Sequence, residues 1–99
     1  MKQIINKLNK VFDSRIRLGA MSTLAVNESM DFNSMKQVLD VTDGNLASHI
    51  AALEDEGYVR VRKRFVGRRP QTTYTITAAG RKAFTEHIDA LEQLIRIGR

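Results

Sequence analysis

Apolar residues in the first quarter of the chain recur at helical spacing: Ile4, Ile5, Leu8, Val11, Phe12 and Ile16, continued by Ala20 and Leu24. The pattern predicts two helices, or one bent helix, over 2–10 and 13–26. A polar break follows from Asn27 to Asp31. Asn33 is then a candidate N-cap for a short helix with one apolar face, Met35, Val38 and Leu39, interrupted after two turns by "DVTDG". Thr42 is the next candidate cap, since its hydroxyl can accept from the first orphan amides, and Asp43 sits where the helix dipole favours an acid. Leu46, Ile50 and Leu53 follow at i, i+4, i+7 on a helix expected to end at Gly57 as its C′ residue. The period then changes from 3.6 to 2. Val59, Val61 and Phe65 point one way, and Arg60, Arg62 and Arg64 the other. Gly67 and Pro70 bracket a turn that exposes Arg68 and Arg69, and "TTYTIT" returns as a strand with Tyr74 and Ile76 on one face. Thr77 caps a last helix striped by Phe84, Ile88, Leu91 and Ile95.

Charge sharpens this outline. The chain has 99 residues and a net charge of +5, so it holds one domain with a small core. The excess is local. Segment 28–56 carries Glu28, Asp31, Asp40, Asp43, Glu54, Asp55 and Glu56 against Lys36 alone, whereas 60–69 carries Arg60, Arg62, Lys63, Arg64, Arg68 and Arg69 against no acid. A basic cluster on one element points to a localised contact with a polyanion. The absence of Cys removes disulfide scaffolds, thiolate metal sites and cysteine nucleophiles, and fits a cytoplasmic protein. No apolar run approaches the roughly 20 residues of a membrane span. The opening "MKQIINKLNKVF" lacks the continuous apolar core of a signal peptide.

Two helices joined by a short turn, followed by a hairpin, give the spacing of a winged helix-turn-helix. "VTDGNLASHIAALEDEGYV" resembles the recognition-helix block of MarR/ArsR-like winged-helix transcriptional regulators. "FVGRRPQTTYTITAAGRKAF" resembles their wing and the Y-x-I-T-x-x-G-R junction after it. The match covers roughly 12–96 and is nearest to the small single-domain branch with a dimerising C-terminal helix. Unlike the metal sensors of that group, the chain has no Cys and no His pair at ligand spacing, so no cofactor or metal is expected. The expected fold is mainly α with a two-stranded β wing (α+β). Residues 1–12 form an N-terminal helix, 13–77 the helix-turn-helix plus wing, and 78–99 a C-terminal dimerisation helix.

In such a fold the second helix of the pair enters the major groove of duplex DNA. With Leu46, Ile50 and Leu53 facing inward, Asn45, Ser48, His49 and Ala52 face away. Asn can bond adenine bidentately, Ser either kind of base edge, and Ala a thymine methyl. His49 matches the family's S-x-H-L-type position, with a phosphate contact and packing against the wing both open. Ser34, Lys36 and Thr42 are candidates for phosphate contacts that position without specifying sequence, and Lys63 for a contact along the backbone. Arg68 and Arg69 stand at the tip, from which winged regulators reach a minor groove. Arg60, Arg62 and Arg64 read as a charged edge that resists aggregation.

Ile4, Ile5, Leu8 and Phe12 form one terminal apolar face, and Phe84, Ile88, Leu91 and Ile95 another. Both are expected to be shared in a two-fold homodimer on a palindromic operator; packing of the terminal helices on each other within one chain is the alternative. An enzyme is not expected, because G-x-G-x-x-G, G-x-S-x-G and metal-ligand spacings are missing and His49 and His87 lie on different helices, His87 exposed. The rival reading keeps the fold but makes it an RNA-binding or protein–protein interaction module. RNA binding would usually add exposed aromatics, whereas Tyr58, Phe65 and Tyr74 are expected in the core or at its edge.

Overall fold

The computed structural model describes residues 1–97. The order of elements is α1 (Lys2–Ile5), a 3₁₀ turn (Lys10–Asp13), α2 (Arg15–Val26), β1 (Met30–Asp31), α3 (Phe32–Leu39), α4 (Asp43–Asp55), β2 (Val59–Val66), β3 (Arg69–Ile76) and α5 (Ala78–Ile97). Residues 98 and 99 of the expected C-terminal helix lie outside the described residues.

The expected helix over 2–10 is split. Asn9 is extended, and its side chain accepts from the Val11 amide at 3.0 Å, which caps the 3₁₀ turn instead of continuing α1. An Asn that bonds its own neighbouring backbone competes with the helix ladder. Ser14 then caps α2, whose Ala20, Met21 and Leu24 are buried.

The polar break holds a strand. Met30 pairs with Tyr74 and Asp31 with Thr73, which makes the sheet three-stranded and antiparallel in the order β1-β3-β2 rather than a two-stranded wing. Asp31, not Asn33, caps α3. Its two carboxylate oxygens accept from the Ser34 amide (3.2 Å) and the Ser34 hydroxyl (2.6 Å), and these bonds hold the carboxyl below its ordinary pKa. Asp40 ends α3 in the left-handed region at φ 52°, with the amides of Asp40 and Val41 both turned back to the Lys36 carbonyl. Thr42 caps α4 by accepting from the Asn45 amide at 3.2 Å, and Gly57 follows α4 at φ 79°.

The hairpin register runs from Val59↔Ile76 to Val66↔Arg69, so the loop is Gly67–Arg68 alone, with Gly67 at φ 63°. A positive φ at the first loop residue is the requirement of a type II′ hairpin turn. Arg69 and Pro70 therefore belong to β3 rather than to the turn. β1 pairs with β3 only at Thr73 and Tyr74, so Pro70, which has no N–H, stands where one side of the strand is open.

Met21, Leu24, Met35, Leu46 and Leu53 are fully buried between α2, α3 and α4, and Val59 and Tyr74 close that core from the sheet. The base of the hairpin is tied to the start of α5. The Thr77 amide donates to the Tyr58 carbonyl (3.0 Å), its hydroxyl donates to the Gly57 carbonyl (2.6 Å), and that hydroxyl also accepts from the Gly80 amide (2.9 Å). The approach is so close that a Cβ on Gly80 would collide with the Tyr58 carbonyl.

His87 is buried, at 4% exposure, not exposed as expected. The N-terminal segment folds over it: its Nδ1 accepts from the Asn9 amide at 3.0 Å, and its ring lies edge-on to Phe12. The Asn9 amide group in turn donates to the Tyr58 hydroxyl at 3.0 Å. Among the described residues every buried side-chain nitrogen or oxygen has a partner, as buried polar groups require.

Candidate nucleic-acid interface

α4 presents its first two turns to solvent. Asn45 and Ser48 are exposed, as the apolar stripe predicts, and so are Gly44, Ala47 and Ala51. These three small residues carry no polar signal in the sequence. They matter physically, because a helix face with little side-chain bulk lets a partner approach its backbone closely. Ala52 is half-buried beside the core.

His49 is held from below. Its Nδ1 lies 3.0 Å from an Arg17 guanidinium nitrogen, and the Arg17 Nε donates to the Val11 carbonyl. A guanidinium only donates, so Nδ1 accepts and the ring hydrogen sits on Nε2. This half-buried arrangement joins α2 to α4 and to the preceding turn. Nothing in the sequence pattern marks Arg17 for that part. His49 Nδ1 is thus engaged by Arg17, and the half-buried ring keeps its Nε2–H as its remaining polar group.

The start of the helix pair is also internally bonded. Lys36 Nζ lies 2.8 Å from Asp43 Oδ1, which bridges α3 and α4. Lys36 thereby offsets the negative charge of Asp43 at the start of α4. Ser34 spends its hydroxyl hydrogen on Asp31, whereas the exposed Thr42 hydroxyl only accepts in its capping bond and keeps its hydrogen free to donate.

The hairpin leans beside α4 across an open cleft lined by Ala47, Ile50 and Glu54 on one wall and Val61, Lys63, Thr72 and Tyr74 on the other. Strand alternation sets the two faces. Val59, Val61, Lys63 and Phe65 share the face toward α4, and Arg60, Arg62 and Arg64 the face away from it. Val59 and Tyr74 are buried and Val61 and Ile76 half-buried, as the pattern predicts at the base. Toward the tip the prediction fails. Phe65 is 74% exposed, because the hairpin outruns the core that would cover it. The chain therefore does carry one exposed aromatic of the kind that RNA binding uses. Arg68 in the loop and Arg69 at the start of β3 are both exposed.

The two terminal stripes are each partly used within the chain. Phe12 is in the core at 2% exposure and offers no free face to a second copy, and Phe84, which packs against it edge-on at 5.7 Å, is half-buried. Ile4, Leu8 and Leu91 are half-buried, whereas Ile5, Ile88, Ile95 and Ile97 are exposed. α1 and α5 also touch within the chain. No helix among the described residues is long and apolar enough to cross a membrane. Nor is there among them a group of three His, Cys, Asp or Glu residues placed to hold a metal ion.

A helix-turn-helix with an exposed, small-residue second helix beside a basic β-hairpin defines a winged-helix DNA-binding domain. The chain belongs to that family: the family model described as "Winged helix DNA-binding domain" matches residues 16–95. An uncharacterised protein of Methanocaldococcus jannaschii is 38% identical over 85 residues, which cover 86% of this chain and 92% of that protein. The structure of a transcriptional regulator homologue from Pyrococcus horikoshii superposes with a TM-score of 0.84 at 33% identity, covering 96% of this chain and 92% of the other. The transcriptional regulator BldR from Sulfolobus solfataricus gives 0.73 at 23% identity, over 95% and 67%, and shares the fold. Family and neighbours together support a DNA-binding regulator, a class that is not enzymatic.

Proposed function

We propose that this protein is a sequence-specific regulator that binds duplex DNA as a homodimer on a palindromic site. α4 lies in the major groove, with Asn45 and Ser48 bonding base edges and Ala47 and Ala51 free to meet thymine methyl groups. Arg68 and Arg69 engage the minor groove or its phosphates, and Lys63 follows the backbone from the cleft. The observation that carries this reading is that Asn45 and Ser48 on α4 and Arg68 and Arg69 on the hairpin are all exposed, with α4 and the hairpin forming the two walls of one open cleft. Thr42 contributes through its cap, since the amides at a helix start are an anion site. Ser34, Lys36 and His49 act mainly within the protein, as supports of α3 and α4.

In this reading 13–77 reads DNA, and 1–12 and 78–99 bring two copies together. The exposed Ile5, Ile88 and Ile95 and the half-buried Ile4, Leu8 and Leu91 supply the apolar surface for a two-fold dimer. Ile95 is 58% exposed in the single chain. Two recognition helices would then stand about one DNA turn apart, roughly 34 Å.

Selection of bound sequences from random duplex DNA, with sedimentation of the unaltered protein at micromolar concentration, tests both halves. The expected result is an inverted repeat and a dimer mass. Leu91→Glu should yield monomers that bind the selected site much more weakly. An unenriched pool, or a monomer mass near the 11.2 kDa of one chain, would overturn the proposal.

A further inference from the structure

The hairpin face turned away from α4 has a chemistry of its own. Arg60, Arg62 and Arg64 stand at alternate positions of β2, so their side chains leave the sheet on one side about 6.7 Å apart. All three are exposed, and among the described residues no carboxylate lies within ion-pair distance of any of them. Arg64 Nε donates to the Gln71 side chain at 3.2 Å, which steadies one member of the row. The three line an open cleft with Ser29, Thr73, Thr75 and Ile76, and with one carboxylate, Glu28, which leaves the lining with a net positive charge.

A charged edge that merely resists strand pairing explains this row poorly. One or two charges suffice for that purpose, and alternating signs would avoid the mutual repulsion of three adjacent cations. Three evenly spaced cations of one sign are complementary to a row of phosphates, while the Thr73 hydroxyl between the strands donates to the Arg62 carbonyl at 3.5 Å. The row cannot face the groove that α4 enters, because Val61, Lys63 and Tyr74 occupy that side of the sheet.

We propose that the outward face of the hairpin is a second DNA-contact surface, on which Arg60, Arg62 and Arg64 bind phosphates of the duplex flanking the sequence read by α4. The surface rests on the regulator reading above and adds to it a dependence on DNA outside the operator. Each wing grips the flank without selecting its sequence.

The test compares the selected operator duplex with the same duplex extended by about one helical turn of random sequence on each side. For the unaltered protein the extension should steepen the log–log salt dependence by about 0.9 per phosphate gained, or about 2 to 3 per wing. Arg60→Gln, Arg62→Gln and Arg64→Gln combined should lose that increment while keeping the affinity and base preference measured on the short duplex. The three Lys replacements should retain most of the increment, and an unchanged thermal midpoint in both triple variants shows that folding is intact. An extension without effect on the unaltered protein overturns the proposal. So does a Gln triple variant that weakens short and long duplexes equally, or one that loses only single-stranded RNA binding. If the unaltered protein binds no duplex at all, the regulator reading falls and this surface with it. If it binds the operator indifferently to its flanks, only this surface falls.

Discussion

The two ends of the hairpin obey different physics. At the base, Val59 and Tyr74 are buried, and the Thr77 amide and hydroxyl bond to Tyr58 and Gly57. At the tip, Phe65, Val66, Arg68 and Arg69 are all exposed, and the side-chain links across the strands below them are the Arg64–Gln71 bond and the Thr73 hydroxyl's bond to the Arg62 carbonyl. Residues at the base have their partners within the chain. Those at the tip have apolar area and charge without partners, which folding alone does not require. Substitutions at the base should therefore be read out as stability, and substitutions at the tip as binding.

The largest effect should come from Gly80→Ala. A Cβ there meets a backbone carbonyl, which cannot rotate away as a side chain would. Either α5 or the Gly57–Tyr58 turn must move, and the three bonds through Thr77 weaken with it. Overpacking of this kind typically costs about 1–3 kcal/mol, and the backbone contact places this site near the upper end. Denaturant unfolding should show a lower midpoint at an unchanged slope. A cost below about 0.5 kcal/mol would mean that the junction is not a rigid anchor.

The tip and α4 should separate next, both at near-constant stability. Asn45→Ala or Ser48→Ala should relax preference at one base position per half-site and cost about 1–3 kcal/mol there. Arg68→Ala with Arg69→Ala should instead weaken specific and unrelated duplexes alike, and lower the salt slope by about 0.9 for each phosphate no longer neutralised. Unfolding free energies of all these variants should stay within about 0.5 kcal/mol of the unaltered protein. Competition binding at several salt concentrations measures both effects. If the Asn45 and Ser48 variants keep full base preference, the reading face lies elsewhere on α4.

The helix pair, the hairpin and the last helix were legible in the sequence because each is long enough to show its period. β1 was not, since two residues carry no period and their pairing is fixed by Tyr74 and Thr73, far along the chain. Alternation correctly assigned Phe65 to a face of β2, but it cannot say how far the core extends beneath that face. Asn45 and Ser48 were found because exposure of a capped helix follows from its apolar stripe. The fates of His49 and His87 were hidden for a different reason. Each depends on a hydrogen bond to a distant residue, Arg17 at a separation of 32 residues and Asn9 at 78.

His87 gives the smallest effect, and a base-like one, since its partners all lie within the chain. Burial pushes its pKa below the ordinary imidazole value of 6.5, while the nearby Asp13 carboxylate pulls it partly back. Its Nδ1 accepts from the Asn9 amide, so the folded chain needs the neutral ring. As pH falls through about 6.5, the unfolded chain takes up the proton first. Stability should therefore be complete above that pH and decline progressively as pH drops toward the lower folded value, with the opposing pull of Asp13 keeping the decline shallow. His87→Gln should flatten this part of the pH profile, since its amide oxygen can accept from Asn9 without titrating. The protection factor of the Asn9 amide in hydrogen exchange should fall over the same window in the unaltered protein. A protection factor constant from about pH 8 to about pH 5, on either side of the ordinary imidazole value, would show that His87 does not hold the N-terminal segment in place.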